Sequence, residues 1–267
     1  MPELPDVEVA RRLLEQSLRG TTIHAARCDD RRLLRPRSPG HFARALVGRA
    51  VRSVERRGKW LRILFDDGTR LFSHLGMTGE WISGDAEQPP RRSERARLDV
   101  GKGERVSRSV RYLDSRRFGR LLIADRDVDE WTELGPDPLA DGIDIERFAT
   151  VLGRRRGAIK AVLMDQTVLA GIGNIIATEA LFRARVDPRA QSQKLSRRTV
   201  GRLAKALKSE IRHELRARQG GHGYRQDDFA VYGEAGTPCK RCGAVIARTV
   251  IGGRTTAFCP GCQISRT

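Results

Sequence analysis

Residues 51–83 read VRSVERRGKWLRILFDDGTRLFSHLGMTGEWIS, and apolar and polar side chains alternate through most of this stretch. A period of two is typical of β-strands that bury one face. Asp66, Asp67 and Gly68 interrupt the alternation with residue types that favour a tight turn. The alternation returns in residues 95–115, RARLDVGKGERVSRSVRYLDS, and is broken there by glycines. We therefore expect an antiparallel β-sandwich in this half of the chain.

Helical patterns lie on both sides of the predicted sandwich. Before it, apolar residues recur at helical spacing from Asp6 to Leu18, which predicts a helix packed on the sheets. After it, GPDPLADG (residues 135–142) has the composition of a linker, and three helical stretches follow: IERFATVLGRRRGAIKAVLMDQ, NIIATEALFRAR and LSRRTVGRLAKALKSEIRHELRAR. The sequence predicts an α+β fold with a sandwich domain at 2–130, a helical domain at 135–222 and a small cysteine module at 230–267.

The charge balance indicates a polyanionic partner. The 267 residues carry 51 Lys and Arg against 33 Asp and Glu, a formal net charge of +18. Each phosphate that a protein neutralises releases condensed counterions, so a surplus of this size favours nucleic acid. A generic basic protein, such as a ribosomal subunit, would share the surplus. No apolar run has the length of a membrane span, and the acidic start differs from a secretory signal, so a cytosolic protein is expected.

Four of the five cysteines form a metal-binding pattern. Cys239 and Cys242 are separated by two residues, as are Cys259 and Cys262, and sixteen residues lie between the pairs. Two such knuckles can place four thiolates at the corners of a tetrahedron, the arrangement that a structural Zn²⁺ ion prefers. A pair of redox CxxC motifs is the alternative. The isolated Cys28 is expected to be a packed or surface thiol.

A glycine-rich turn separates two of the helical stretches. The sequence TVLAGIGN (residues 167–174) can expose backbone N–H groups, and the N-terminus of the next helix favours an anion. Asn174 is placed either to cap that helix or to reach a phosphate. Lys160 and the run Arg154–Arg156 strengthen the phosphate interpretation. An ordinary helical hairpin with a solvated charged face remains the alternative.

The order of the motifs along the chain resembles one protein family. They occur as MPELPDVEVARR, RRGKWL, HLGMTG, LDSRRFG, LGPDPL, AIKAVLMDQ, GIGNIIATEALF, VYGEAGTPCKRCG and GGRTTAFCPGCQ. This series resembles the bacterial formamidopyrimidine-DNA glycosylase and endonuclease VIII family over nearly the whole chain, and its PEL opening resembles the first branch. The resemblance implies a helix-two-turn-helix domain, one structural Zn²⁺ ion and a monomer that acts on damaged duplex DNA in the bacterial cytoplasm, associated with the nucleoid.

The resemblance also implies a bifunctional enzyme of base-excision repair, a glycosylase and abasic-site lyase. In this family Met1 is removed, and the secondary amine of Pro2 attacks C1′ of the damaged nucleotide to form an imine link. An α-amino group has a pKa of about 8, well below that of Lys, so more of it is neutral at pH 7. By the same resemblance Glu3 assists ring opening and base departure, Lys59 assists elimination, and Arg254 clamps phosphate and assists the second elimination.

Further residues match DNA-contacting positions of the family. The phosphate contacts implied are Arg155, Lys160 and Asn174, and His74 and Arg95 are further DNA-binding residues. Met77, Arg116 and Phe118 resemble the triad that fills the space left by an extruded base, which offsets the cost of unstacking. From the residues alone, a hydrophobic core is the favoured place for Met77 and Phe118.

The sequence departs from the family pattern at four places, and the first of them affects the expected substrate. RQGGHGYRQDDFAVYG (residues 218–233) is shorter than the family's usual loop over an everted 8-oxoguanine, which leaves ring-opened purines or oxidised pyrimidines as candidate substrates. Arg95 stands where the family has a His, Ser115 replaces the usual Pro, and Ile176 replaces the usual Tyr. The alternatives are a glycosylase or lyase for oxidised pyrimidines or another lesion, and a damage-binding protein without catalysis.

Overall fold

The computed structural model describes residues 2–34, 38–219 and 229–264. The chain divides into two compact units. The first comprises Met1–Pro2 and Asp6–Glu133, and the second comprises Glu3–Pro5 and Leu134–Thr267. Helix α1 (Leu4–Leu18) therefore begins in the second unit and continues in the first.

Two antiparallel four-stranded sheets build the first unit, so the predicted sandwich is confirmed. Their strand orders are β1-β6-β7-β5 and β2-β3-β4-β8. The strands are β1 (Thr22–Cys28), β2 (Val51–Arg57), β3 (Trp60–Phe65), β4 (Arg70–His74), β5 (Gly79–Gly84), β6 (Glu94–Lys102), β7 (Arg105–Asp114) and β8 (Arg120–Ala124). Two further helices of this unit are α2 (Pro39–Leu46) and α3 (Asp129–Thr132).

Alternation along the strands places the apolar side chains of both sheets in one core. Leu98 of β6, Ile63 of β3 and Leu14 of α1 are all fully buried in this cluster. Cys28 belongs to it too, and burial raises the pKa of its thiol to about 12, so it is the packed thiol of the two alternatives. Helix α1 thus packs on the sheets as its spacing predicts.

The second unit is helical and ends in a hairpin. Its elements are α4 (Ile145–Arg154), α5 (Ile159–Met164), α6 (Asn174–Arg183), a 3₁₀ turn (Ser192–Lys194), α7 (Arg197–Gln219), β9 (Ala247–Ile251) and β10 (Arg254–Phe258). The first helical stretch of the sequence is therefore two helices. The chain breaks at residues 155–158, where Gly157 adopts a φ of 134° that helical residues do not reach.

The segment expected to be a linker is a folded part of the second unit. Gly135 donates its N–H to the carbonyl of Gln166 at 2.9 Å, and Ala170 donates to the carbonyl of Pro136 at 3.0 Å. Leu139 packs against the core of the helical unit. These hydrogen bonds fix the segment within the second unit. Among the described residues, no helix is both long and apolar enough to cross a membrane.

Candidate active site and nucleic-acid interface

The carboxylate of Glu3 is held at the N-terminus of helix α6. Its two oxygens accept the backbone N–H groups of Ile175 at 2.8 Å and Ile176 at 3.1 Å. The side chain is 1% exposed. Unpaired N–H groups and the positive end of the helix dipole both stabilise negative charge at this position. The residue that follows Pro2 is thus a fixed, buried carboxylate.

The glycines of the turn before α6 make room for the start of the chain. A Cβ atom on Gly173 would lie 2.3 Å from Cδ of Glu3, and one on Gly171 would lie 2.7 Å from Cβ of Leu4. Gly171 also has a φ of 92°, which favours glycine. The sequence predicted an anion at this helix terminus, and the anion that the structure places there is Glu3.

Asn174 does not cap α6, contrary to one of the two expectations for it. Gly173 is the N-cap residue and makes no side-chain cap; the first N–H groups of the helix donate to Glu3 instead. The side chain of Asn174 instead accepts a hydrogen bond from Nζ of Lys160 at 2.6 Å and donates to the carbonyl of Thr255 at 3.3 Å. The half-buried amide therefore joins α5 to the C-terminal hairpin, and its contact with phosphate stays a prediction.

Lys160 is a fully buried cation at the centre of this network. In addition to Asn174, its Nζ donates to Oγ1 of Thr256 at 2.6 Å and to the carbonyl of Thr255 at 3.4 Å. Burial lowers the pKa of Lys160 to about 8, and attraction to Glu3 opposes that decrease. The side chain is 0% exposed, so its three donors serve protein oxygens in this arrangement. The predicted phosphate contact of Lys160 remains untested.

Arg254 lies at the exposed tip of the hairpin that Lys160 holds. Gly252 and Gly253 form the two-residue loop with φ values of 56° and 70°, the pattern of a type I′ turn. Arg254 follows as the first residue of β10 and pairs in register with Ile251. A turn this tight fixes where the guanidinium leaves the backbone, as a phosphate clamp requires.

The four clustered cysteines suit one zinc ion. Their sulfur atoms all lie within 4.8 Å of one another, with Cys242 and Cys259 at 3.4 Å and Cys239 and Cys262 at 4.0 Å. Zn–S bonds of about 2.3 Å place the sulfurs of a tetrahedral site about 3.8 Å apart, so the donor set fits. Four thiolates leave no open position, and the ion would stabilise the fold beside β9 and β10. The prediction of one structural zinc is confirmed.

Lys59 and His74 come together in the first unit. Lys59 lies within the alternating stretch 51–83, but it occupies the two-residue turn Gly58–Lys59 between β2 and β3, where Gly58 has a φ of 58°. A glycine at the first turn position with positive φ permits this tight reversal. Trp60, the next residue, pairs in register with His74, and their rings lie 5.0 Å apart.

His74 is a neutral imidazole near pH 7. Burial lowers its pKa to about 4, with further lowering by the charges of Lys59 and Arg120. Its Nδ1 accepts the N–H of Gly76 at 3.0 Å, so the proton of the neutral ring is on Nε2. His74 can therefore offer an anion one N–H donor without a full charge. Arg120, which the sequence reasoning missed, pairs with His74 in register and adds a cation to this cluster.

The three residues predicted to fill the space of an extruded base lie on two loops in mutual contact. Met77 is half-buried in the turn after β4, and Arg116 and Phe118 lie between β7 and β8. A Cβ atom on Gly76 would lie 2.4 Å from the carbonyl carbon of Phe118, so the loops touch through their backbones. Phe118 is 53% exposed, and the guanidinium of Arg116 lies 5.0 Å from its ring centroid. Phe118 is therefore not a core residue, and the role of all three stays a prediction.

The remaining predicted DNA contacts have partners within their own units. Nε of Arg95 donates to the carbonyl of Asp114 at 2.9 Å. Arg155 is exposed, donates to Oγ1 of Thr167 at 2.9 Å and forms an ion pair with Asp165 at 3.2 Å. An exposed arginine can exchange such a partner for a phosphate at little cost, so both assignments remain predictions.

One buried carboxylate fixes the start of the cysteine module. It was not predicted from the sequence. Glu179 on α6 is 1% exposed and accepts the backbone N–H groups of Ala230, Val231 and Tyr232 at 3.0, 2.9 and 2.8 Å. An acidic residue within an apolar helical stretch was the available signal, since such a group must be paired when buried. Of the loop whose shortness bears on the substrate, residues 220–228 lie outside the described part of the chain.

Comparison with known proteins gives consistent matches along the chain. Family models match residues 1–121 (Formamidopyrimidine-DNA glycosylase N-terminal domain), 134–226 (Formamidopyrimidine-DNA glycosylase H2TH domain) and 236–264 (Zinc finger found in FPG and IleRS). The Formamidopyrimidine-DNA glycosylase of Herpetosiphon aurantiacus is 37% identical to this chain, over 98% of this chain and 100% of that protein. The protein of the same name from Thermomicrobium roseum is 42% identical, over 98% of this chain and 99% of that protein.

Solved structures of protein–DNA complexes match as well. The Lactococcus lactis formamidopyrimidine-DNA glycosylase bound non-covalently to DNA with an abasic site is 29% identical, with a TM-score of 0.87 over 98% of this chain and 100% of that one. A MutM complex with DNA containing carbocyclic 8-oxo-G is 29% identical, with a TM-score of 0.88 over 99% of this chain and 100% of that one.

Proposed function

The chain belongs to the formamidopyrimidine-DNA glycosylase family, and we propose that Pro2 is the nucleophile with which it excises oxidised bases from duplex DNA. The protein is a DNA glycosylase of base-excision repair and an abasic-site lyase. The observation that carries the residue assignment is the buried Glu3 carboxylate, fixed by two N–H groups of α6 directly beside Pro2 in the chain.

Removal of Met1 gives Pro2 a secondary amine. A fixed carboxylate next to it in sequence can accept the proton of the ammonium form, which frees the nitrogen lone pair. The lone pair attacks C1′ of the damaged nucleotide, and the bond from C1′ to the base breaks. The base leaves with the proton that the Pro2 nitrogen still carries. Glu3, now protonated, donates its proton to the sugar ring oxygen. The sugar opens, and an iminium ion joins C1′ to Pro2.

The iminium ion makes the strand cleavable. It withdraws electrons, so the proton on C2′ becomes acidic, and its removal expels the 3′ phosphate. A second elimination removes the proton on C4′ and expels the 5′ phosphate. We assign Lys59 to the first elimination and Arg254 to the second. The exposed position of Arg254 beyond a type I′ turn, and the half-buried position of Lys59 in a tight turn, support these assignments.

The substrate assignment rests on the length of the segment at residues 218–233 and on the relatives. We propose ring-opened purines as the main substrates, with 8-oxoguanine and oxidised pyrimidines as alternatives, because the segment at residues 218–233 is short. A panel of duplexes, each with one defined lesion, will rank these bases by the rate of excision. We also propose that the protein acts as a monomer in the bacterial cytoplasm on nucleoid DNA, in keeping with its bacterial relatives.

Reduction with borohydride tests the proposal. Borohydride converts an iminium ion into a stable amine, so wild-type protein should become covalently attached to abasic DNA. Pro2→Gly should lose most of this attachment. Glu3→Gln should lose excision of damaged bases. It should retain attachment to preformed abasic sites, because their open-chain aldehyde needs no ring opening and part of the amine is neutral without Glu3. Binding of damaged DNA by the wild type without any adduct would instead identify a damage-binding protein without catalysis.

A further inference from the structure

A single buried carboxylate organises the backbone of the loop between β7 and β8. Asp114 is 0% exposed and lies at the end of β7. It accepts four hydrogen bonds, from Oγ1 of Thr78 at 2.6 Å and from the backbone N–H groups of Arg116 at 3.2 Å, Arg117 at 3.0 Å and Gly119 at 2.8 Å. These bonds fix both ends and the middle of the loop. A carboxylate removed from water needs this degree of compensation.

The loop holds a conformation that it would not adopt unaided. Arg117 has a φ of 58°, a left-handed conformation that is uncommon for a residue other than glycine. The N–H of Arg117 bonds to Asp114, and its guanidinium forms an ion pair with Asp30 at 3.2 Å. The loop is therefore anchored from two sides at its strained residue, as a segment with a functional conformation requires.

The side chains at the outside of the loop contrast with its anchored backbone. Arg116 and Phe118 are both exposed, Phe118 by 53%, whereas the carboxylate that anchors the loop is fully buried. An exposed phenylalanine lowers solubility and adds no buried apolar area to the stability of the fold. A rigid backbone that presents an aromatic ring and a guanidinium is suited to insertion between stacked bases, since little ordering remains to be done on binding.

We propose that Asp114 is a positioning residue that presets the Arg116–Phe118 loop for entry into the DNA duplex. This inference rests on the proposed function. It adds to that function a residue that acts on the loop and does not itself touch DNA. Oδ2 of Asp114 accepts from Gly119, the residue after Phe118, while Oδ1 accepts from Thr78, Arg116 and Arg117. Loss of either oxygen releases a different side of the loop.

Asp114→Asn tests the proposal with little change in shape. The amide replaces one oxygen by an N–H donor, which then faces the N–H of Gly119 or the donors on the other side. Single-turnover excision from a lesion-bearing duplex should fall by about 10²-fold, the scale of effect that a misplaced group can have. Cleavage of a single-stranded abasic oligonucleotide should stay within about twofold of wild type, because no stacked duplex has to be entered.

Asp137→Asn is the matched control. Asp137 is also buried, and its Oδ1 accepts the N–H groups of Leu139 at 2.9 Å and Ala140 at 3.0 Å in the helical unit. The same chemical change there should lower both activities equally or neither. Thr78→Val should reproduce part of the Asp114→Asn defect, and Thr78→Ser, which keeps the hydroxyl, should restore wild-type excision.

The outcomes separate this inference from the proposed function. Equal loss of the duplex and single-strand activities in Asp114→Asn would show that Asp114 only stabilises the fold, and would overturn the inference. Wild-type excision by Asp114→Asn would overturn it too. A wild-type protein that forms no borohydride adduct would contradict the proposed function itself, whatever Asp114 does.

Discussion

A Cβ atom built on Gly173 lies 2.3 Å from Cδ of Glu3, so the Glu3 side chain occupies the space that any larger residue at position 173 would need. The backbone conformation of Gly173 is extended, with a φ of −125°, and other residues could adopt it. Glycine is required there for space alone. The turn thus leaves room for Glu3, the residue beside the proposed nucleophile.

Gly173→Ala should displace the Glu3 carboxylate from the N–H groups of α6. We expect excision of a damaged base to fall by about 10²-fold, because a group displaced by 1 Å can cost that much. The measurement is single-turnover excision, with circular dichroism to establish that the variant is folded. Gly201→Ala in α7 is the control, since nothing lies within 4 Å of a Cβ at that position. A folded Gly173→Ala protein that excises at the wild-type rate would refute the prediction.

The buried Lys160 should make stability depend on pH above neutrality. Burial lowers the pKa of Lys160 to about 8 from its ordinary 10.5, so between these pH values the unfolded chain binds a proton that the folded chain has released. Stability then increases as pH rises. The free energy of unfolding of wild type relative to Lys160→Met should rise by about 1–3 kcal/mol from pH 8 to 10.5. Chemical denaturation at several pH values measures it, and a flat or falling difference would contradict it.

His74 should be neutral, with its proton on Nε2, well below pH 7. Its pKa is lowered to about 4 by burial and by two neighbouring cations, and Nδ1 accepts from Gly76. Because the folded pKa lies below the ordinary 6.5, the folded protein should lose stability as pH falls from 6.5 towards 4, and His74→Gln should remove that dependence. Nitrogen chemical shifts of the ring at pH 6 should show the Nε2-protonated neutral form. A charged imidazolium at pH 6 would be the contrary finding.

Zinc should be bound at one ion per chain and should be needed for DNA binding. The hairpin β9–β10 follows the first cysteine pair, and loss of the ion should release it from Lys160. Elemental analysis should find one zinc in wild type and in Cys28→Ala, and much less in Cys242→Ser. Affinity for abasic duplex should fall with the zinc content. Full affinity in a zinc-free protein would show that the hairpin has no part in binding.

Much of the fold follows from local patterns, and the parts that do not follow are long-range. Alternation along residues 51–83 predicts the sandwich because each strand carries its own periodicity. Glu3 meets α6 across more than 170 positions, and no pattern within TVLAGIGN shows that its glycines accommodate the start of the chain. The turn position of Lys59 does not follow from the alternation, because it depends on the positive φ of Gly58 between two short strands.

The same limit applies to the site. Asp114 lies in a stretch rich in arginine, where an acidic residue suggests a surface ion pair, and only the structure shows its four backbone and hydroxyl donors. Lys160 is expected to reach a phosphate because it lies close to an arginine run and matches a phosphate-contacting position of the family, and this contact stays a prediction. Its burial among oxygens of α6 and the hairpin could not be predicted, because these partners lie far from it in the sequence.

Peptide mass spectrometry of the borohydride-reduced adduct tests the central claim most directly. Protein reacted with abasic DNA is reduced, digested with nuclease and protease, and searched for the peptide that carries the sugar remnant. We predict that the remnant is on the nitrogen of Pro2, in a peptide from which Met1 is absent. A remnant on Lys59 or another lysine, or full cleavage activity in protein that retains Met1, would contradict the account.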